Sequence, residues 1–172
     1  MSLILYNTFM ILGGFMNKYV IATSSTADLP AEYLKEHNIP FISYTYTIDD
    51  KVYIDDCTEE SRNFLMTSMR AGKQPNTSQI TEYAYYEFLK ELLEAGNDVL
   101  FVDMTRALSA SINNAERAIQ TLSEEYPDRK ISLLDSYCVT GGLALFLKQL
   151  VKRHEEGWDY DQVVEWGNAH KL

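Results

Sequence analysis

The sequence predicts an α/β fold: a mostly parallel central sheet flanked by helices, with an edge β-hairpin. Two patterns predict it. Short runs rich in β-branched and aromatic residues alternate along the chain with longer runs of helical apolar spacing, the order expected of βα units. The runs Asp98 to Asp103 (DVLFVD) and Lys130 to Leu134 (KISLL) are nearly continuous in apolar character, as strands covered on both faces require.

The first strand is expected at Lys18 to Thr23 (KYVIAT), and Asp28-Leu29-Pro30 then supplies a cap and an early proline that start a short helix with Tyr33 and Leu34 inward. From Ile39 to Ile48 the chain alternates, with Ile42, Tyr44, Tyr46 and Ile48 on one face and Ser43, Thr45 and Thr47 on the other, which predicts one half-buried strand. Asp49-Asp50 turns it, and Lys51 to Ile54 returns as a hairpin at the sheet edge. Thr58, followed by Glu59 and Glu60, opens a helix that Gly72 closes, since acidic side chains favour the positive end of the helix dipole.

A loop around Pro75 comes next. Glu82 to Ala95 then sets Tyr85, Phe88, Leu89, Leu92 and Leu93 on one helical stripe, with Gly96 as the stop. After the DVLFVD strand, Ile112, Ala115, Ile119 and Leu122 mark a helix that Pro127 ends. Beyond the KISLL strand a Leu-rich helix runs from about Val139 to His154. Gly157 breaks it, and Asp159 with Gln162 begins a last helix.

The 172 residues suffice for one ordinary core, and no repeat or linker divides them. The net charge of -10 repels phosphate backbones, so nucleic acid is not an expected partner. Cys57 and Cys138 stand far apart without a C-x-x-C pair, which gives no support to a disulfide framework or a zinc knuckle and fits a cytoplasmic setting. Leu3 to Met16 is apolar but too short to span a bilayer and lacks the marks of a secretory signal, so no stable membrane insertion is expected. Residues 1–17 are read as an extension or a cloning remnant, with Met16-Asn17-Lys18 as a natural start.

Ligands of an open parallel sheet bind beyond the carboxyl ends of its strands. Those ends are hydroxyl-rich here: Thr23-Ser24-Ser25-Thr26 after the first strand, Met104 to Ser111 after DVLFVD, and Asp135-Ser136 after KISLL. The loop Pro75-Asn76-Thr77-Ser78-Gln79 adds two more hydroxyls. Such donors, together with free helix N-terminal amides, can hold a carboxylate or phosphate without a full positive charge. The competing reading is that each residue merely caps its own helix. Asp49, Asp50, Asp55 and Asp56 lack calcium-loop spacing and read as turn residues, so no metal is expected. His37, His154 and His170 have no spaced partner and read as surface residues. No G-x-S-x-G elbow or phosphate loop occurs, and Gly141-Gly142 is read as close packing of a helix on the sheet. Tyr44 and Tyr46, and the group Tyr83, Tyr85 and Tyr86, suit either a core or the wall of an apolar tunnel.

Several of these segments, in order, resemble the DegV family. Ile21 to Pro30 (IATSSTADLP) is similar to its opening strand and T-D-S-T-A-D-L-P signature. Ile42-Ser43-Tyr44 with Asp55-Asp56 looks like the family's strand, hairpin and acidic turn, and Pro75 to Gln79 matches P-x-T-S-Q. Leu108 to Ala115 resembles L-S-G-T-x-x-S-A, and Asp135-Ser136 with Gly141-Gly142 resembles its D-S and small-residue helix. Three positions depart: Ser24 stands where the family's pattern has aspartate, and Ala110-Ser111 where it has Gly-Thr.

The resemblance implies a carrier, not an enzyme: a two-domain protein that holds one long-chain fatty acid in a tunnel and presents it to a partner fatty acid kinase. It implies Thr77 or Ser78, and Ser109, as carboxylate ligands, with Ser25 in support; Ser111 keeps a hydroxyl, and Ser136 belongs to the same sheet edge. No catalytic residue and no cofactor is implied. Residues 18–172 correspond to the amino-terminal α/β domain, and the second, lipid-covering domain is expected to be absent from this chain. Two rivals remain open from the sequence, a small-molecule phosphotransferase and a lone interaction domain.

Overall fold

A computed structural model describes residues 19–171; the expected extension, residues 1–17, lies outside them. The parallel sheet has four strands in the order β2-β1-β6-β7, formed by β1 (Tyr19–Ser24), β2 (Phe41–Ile42), β6 (Asp98–Asp103) and β7 (Ile131–Asp135). Between β2 and β6 the chain forms β3 (Thr45–Ile48), β4 (Lys51–Ile54) and β5 (Asn76–Ser78), a second sheet of antiparallel order β4-β3-β5. The helices are α1 (Ala31–Glu36), α2 (Glu59–Arg70), α3 (Glu82–Glu94), α4 (Ser111–Glu125), α5 (Thr140–Glu155) and α6 (Tyr160–His170).

Alternation along the central strands divides the core in two. Tyr19 and Ile21 of β1 with Leu100 and Val102 of β6 pack against α1, α5 and α6 through Leu34, Leu143, Leu147, Leu150 and Val163. Val20 and Ala22 with Val99 and Phe101 pack on the other face against α3 and α4 through Tyr85, Leu89, Leu93, Ala115 and Leu122. Burial on both faces is why β1 and β6 tolerate almost no polar residue before their carboxyl ends. Registers such as Ile21 opposite Leu100 and Val102 opposite Leu134 hold the three long strands together.

The run from Ile39 to Ile48 departs from the expectation of one strand. Phe41 and Ile42 pair in parallel with Thr23 and Ser24, and the chain then leaves the central sheet. The Tyr44 amide donates to Ser25 Oγ at 3.1 Å, so a side chain takes the place of the next ladder bond. The alternation itself persists, with Tyr44, Tyr46 and Ile48 buried. The hairpin therefore extends the small sheet and not the edge of the parallel one. Its turn places both Asp49 and Asp50 at positive φ, 50° and 63°, as a two-residue hairpin turn demands.

Three further details sharpen the expectations. The last helix begins with a capping box, Gln162 N to Asp159 Oδ1 at 2.9 Å and Asp159 N to Gln162 Oε1 at 3.0 Å. Gly141 faces open space, and a Cβ on Gly142 would meet Cys138 at 3.0 Å, so this pair does not seat α5 on the sheet; the loop before the helix is what requires Gly142. His154 is no simple surface residue: its ring stands edge-on to Tyr19 at 4.6 Å, and burial lowers its pKa.

Candidate functional site

The small sheet and α2 stand over the carboxyl-terminal edge of the central sheet and leave a cleft of about 500 Å³ between them. One side comes from the small sheet and its outgoing segment: Thr45, Tyr46, Pro75, Thr77, Ser78 and Gln79. The β6–α4 loop supplies Met104, Leu108, Ser109 and Ala110. Leu65 of α2 and Val139 complete the apolar part, and Thr26, Asp28, Asp55 and Thr140 the polar part.

Thr77, Ser78 and Ser109, from two segments more than thirty residues apart in sequence, thus share one cavity. The P-N-T-S-Q segment, expected as a loop, forms a strand. Thr77 pairs with Tyr46 and Ser78 with Thr45, which fixes the backbone and leaves both residues exposed. No described residue takes a hydrogen bond from either hydroxyl. Ser109 is half-buried; its Oγ accepts the Ser111 amide at 3.1 Å, which leaves its own proton for an acceptor in the cleft.

Ser25, Ser111 and Ser136 do not line this cleft; each is buried and engaged elsewhere. Ser25 Oγ accepts the Tyr44 amide and borders a smaller neighbouring cavity of about 230 Å³. Ser111 Oγ accepts the Ile80 amide at 3.2 Å and ties α4 to the segment before α3. Ser136 Oγ accepts the Cys138 amide and donates to the Cys138 carbonyl, both at 3.1 Å, closing its own turn. For these three residues, the surrounding protein engages the hydroxyl, from distant segments at Ser25 and Ser111 and from its own turn at Ser136.

Beneath the cleft lies a polar network that the sequence did not reveal. Asp103, fully buried at the end of β6, accepts from Ser24 Oγ at 2.6 Å, from the Met104 amide at 2.8 Å and from the Tyr85 hydroxyl at 2.9 Å. Burial raises its pKa, and these hydrogen bonds oppose the rise. Ser24, the departure from the family's aspartate, is thus a donor to a buried carboxylate, a role that a second carboxylate could fill only by holding a proton. Ala110 adopts φ -74° and ψ -1°, so the methyl group at the other departure causes no backbone strain. Its side chain adds to the cleft wall.

Asp28 and Asp55 border both this cleft and its smaller neighbour, and burial raises the pKa of both, with Asp55 adding to the rise at Asp28 and Asp56 to that at Asp55. No Lys or Arg is among the lining residues. The donors this cleft offers to an anion are therefore neutral, the hydroxyls of Thr77, Ser78 and Ser109 among them. The sequence signal for Asp28 and Asp55 lies in the hydroxyl and acidic loops, where it reads equally as capping and turn chemistry. Tyr44 and Tyr46 prove to be both core and wall: they are 8% and 5% exposed, and both border the cleft.

The profile of the DegV family, described as uncharacterised proteins, matches residues 18–171. The chain belongs to the DegV family. A DegV domain-containing protein of Clostridium perfringens is 29% identical over 157 residues, covering 91% of this chain and 54% of that protein. Among solved structures, a stearic-acid-binding protein from Eubacterium ventriosum superposes with a TM-score of 0.76 at 27% identity, over 88% of this chain and 52% of the other. A Thermotoga maritima protein described as having fatty acid binding function gives 0.74 at 25% identity, over 89% and 55%. The fatty acid kinase B3 protein of Streptococcus pneumoniae, loaded with linoleic acid, shares the fold at 0.71 and 24% identity, over 90% and 54%. This DegV chain thus spans about half the length of the relatives it matches. Among the described residues no helix is long and apolar enough to cross a membrane.

Proposed function

We propose that this DegV domain binds the carboxylate of a long-chain fatty acid through the hydroxyls of Thr77, Ser78 and Ser109. The observation that carries the reading is their meeting in one cleft with unclaimed donors, beside an apolar wall of Leu65, Met104, Leu108 and Val139. Neutral donors hold a carboxylate while leaving its charge in place. The acid thus stays nucleophilic, which suits a carrier. The fatty acids bound by the Eubacterium ventriosum and Thermotoga maritima relatives support the class of ligand.

The finer reading is presentation of the bound acid to a partner fatty acid kinase in the cytoplasm, with phosphoryl transfer performed by the kinase and none by this chain. Residues 18–172 are the head-group half in this reading, and a second domain closes the tunnel over the acyl chain.

The test is oleate binding by the delipidated chain, followed by native mass spectrometry and titration. One acid per chain is expected, and Ser109→Ala should weaken it about ten-fold, as loss of a hydrogen bond to a charged group does. Equal affinity in wild type, Thr77→Ala and Ser109→Ala would remove the head-group assignment. For the finer reading, acyl phosphate should form from the bound acid only when a fatty acid kinase and ATP are both supplied.

A further inference from the structure

The Tyr44 hydroxyl is buried without a hydrogen-bond partner among the described residues. Its polar surroundings are Ser109, Ser111, Tyr85 and, at longer range, Asp103. Tyr85 and Ser111 are already engaged: Tyr85 donates to Asp103 and lies 3.2 Å from Ser111 Oγ, and Ser111 is committed to the Ile80 amide. Ser109 is different. One lone pair of its Oγ accepts the Ser111 amide, and the second remains for another donor.

We infer that Tyr44 is a positioning residue for the head group, donating to Ser109 Oγ when Ser109 donates to a bound carboxylate. The deduction rests on the head-group reading above and extends it to a residue that need not touch the acid. A buried hydroxyl without a partner is costly, and hydrogen bonds in a chain strengthen one another. When an oxyanion takes the Ser109 proton, Ser109 Oγ becomes a better acceptor and the Tyr44 hydroxyl gains the partner it lacks in the free protein. Ligand binding thereby removes that defect. Burial and the nearby Asp103 carboxyl both raise the Tyr44 pKa, so the phenol keeps the proton it has to give. The ring, packed in the wall of the cleft, fixes where the hydroxyl sits.

The experiment is a double-mutant cycle on the delipidated chain: wild type, Tyr44→Phe, Ser109→Ala and the double variant, each titrated with oleate and each melted without ligand. Tyr44→Phe should weaken oleate about three- to ten-fold when Ser109 is present and less than about two-fold when it is absent. Its ligand-free midpoint should equal or exceed that of the wild type, because the substitution deletes an unpaired polar atom. Equal losses in both backgrounds would show a general packing effect and overturn the inference, as would an unchanged affinity in Tyr44→Phe. Failure of the wild type itself to bind oleate would instead remove the underlying head-group reading.

Discussion

The central parallel sheet and the small antiparallel sheet use the same residue types to opposite ends. At the carboxyl edge of the central sheet, Ser24, Ser25, Ser111 and Ser136 are buried, and each hydroxyl is spent on a backbone amide, a carboxylate or a carbonyl. On the small sheet, Thr77 and Ser78 are held only through their backbone, and their side chains are exposed in the cleft. Hydroxyls next to a densely packed core must be satisfied by the protein, because an unpaired one costs free energy. Those on a thin, half-solvated sheet can be satisfied by solvent and need no partner from the protein. The β6–α4 loop joins the two regimes, since Ser109 borrows one bond from α4 and keeps one to give.

This contrast predicts a graded series. Phe101→Ala, in the centre of β6 and fully buried, should lose about 3 to 5 kcal/mol in chemical denaturation, whereas a loss under about 1 would mean that this core is not the stabilising region. Gly167→Ala should cost about 1 to 3 kcal/mol, because its Cβ would stand 2.5 Å from Leu134 Cδ1 between α6 and the sheet. Ser111→Ala should cost about 1 to 2 kcal/mol by orphaning the Ile80 amide. Thr77→Ala should change stability by less than about 0.5 kcal/mol, so a larger loss would place Thr77 with the structural hydroxyls.

The buried carboxylate of Asp103 gives the comparison a pH dependence. Its folded pKa lies above the unfolded one, so its contribution is most favourable at low pH and is lost as pH rises through the folded value. Asp103→Asn lacks that loss. The stability of the variant relative to wild type should therefore move in the variant's favour from about pH 4 to about pH 7, measured by denaturation at each pH. A shift in the wild type's favour over that interval would mean that Asp103 is held as a well-compensated anion.

The division between the two regions also governs what could be read from the residues alone. The apolar runs of β1, β6 and β7, the Tyr85 to Leu93 stripe and the Asp159 capping box were legible because burial and capping leave periodic signals. The break after Ile42 was not, since one hydrogen bond from the Tyr44 amide to Ser25 decides it and leaves the alternation intact. The strand at Asn76–Ser78 was equally hidden: its three residues carry no β pattern, and pairing with Thr45 and Thr47 makes it a strand. For the site, motif resemblance put Thr77 or Ser78 and Ser109 forward as ligands with Ser25 in support, and the first three share the cleft, but residue type alone did not separate them from Ser25, Ser111 and Ser136. That separation depends on which amides lie nearby, and distant parts of the chain determine it. Asp103 and the Asp28 and Asp55 pair were missed as site residues for the same reason, and Tyr44 was legible as core or wall but not as an unpaired hydroxyl.

The most direct test is isothermal titration of oleate into delipidated wild type and Thr77→Ala, with melting curves recorded alongside. The hydroxyl-grip account predicts that Thr77→Ala binds about ten-fold more weakly while melting with the wild type. An unchanged affinity, or a weakening matched by an equivalent loss of stability, would contradict it.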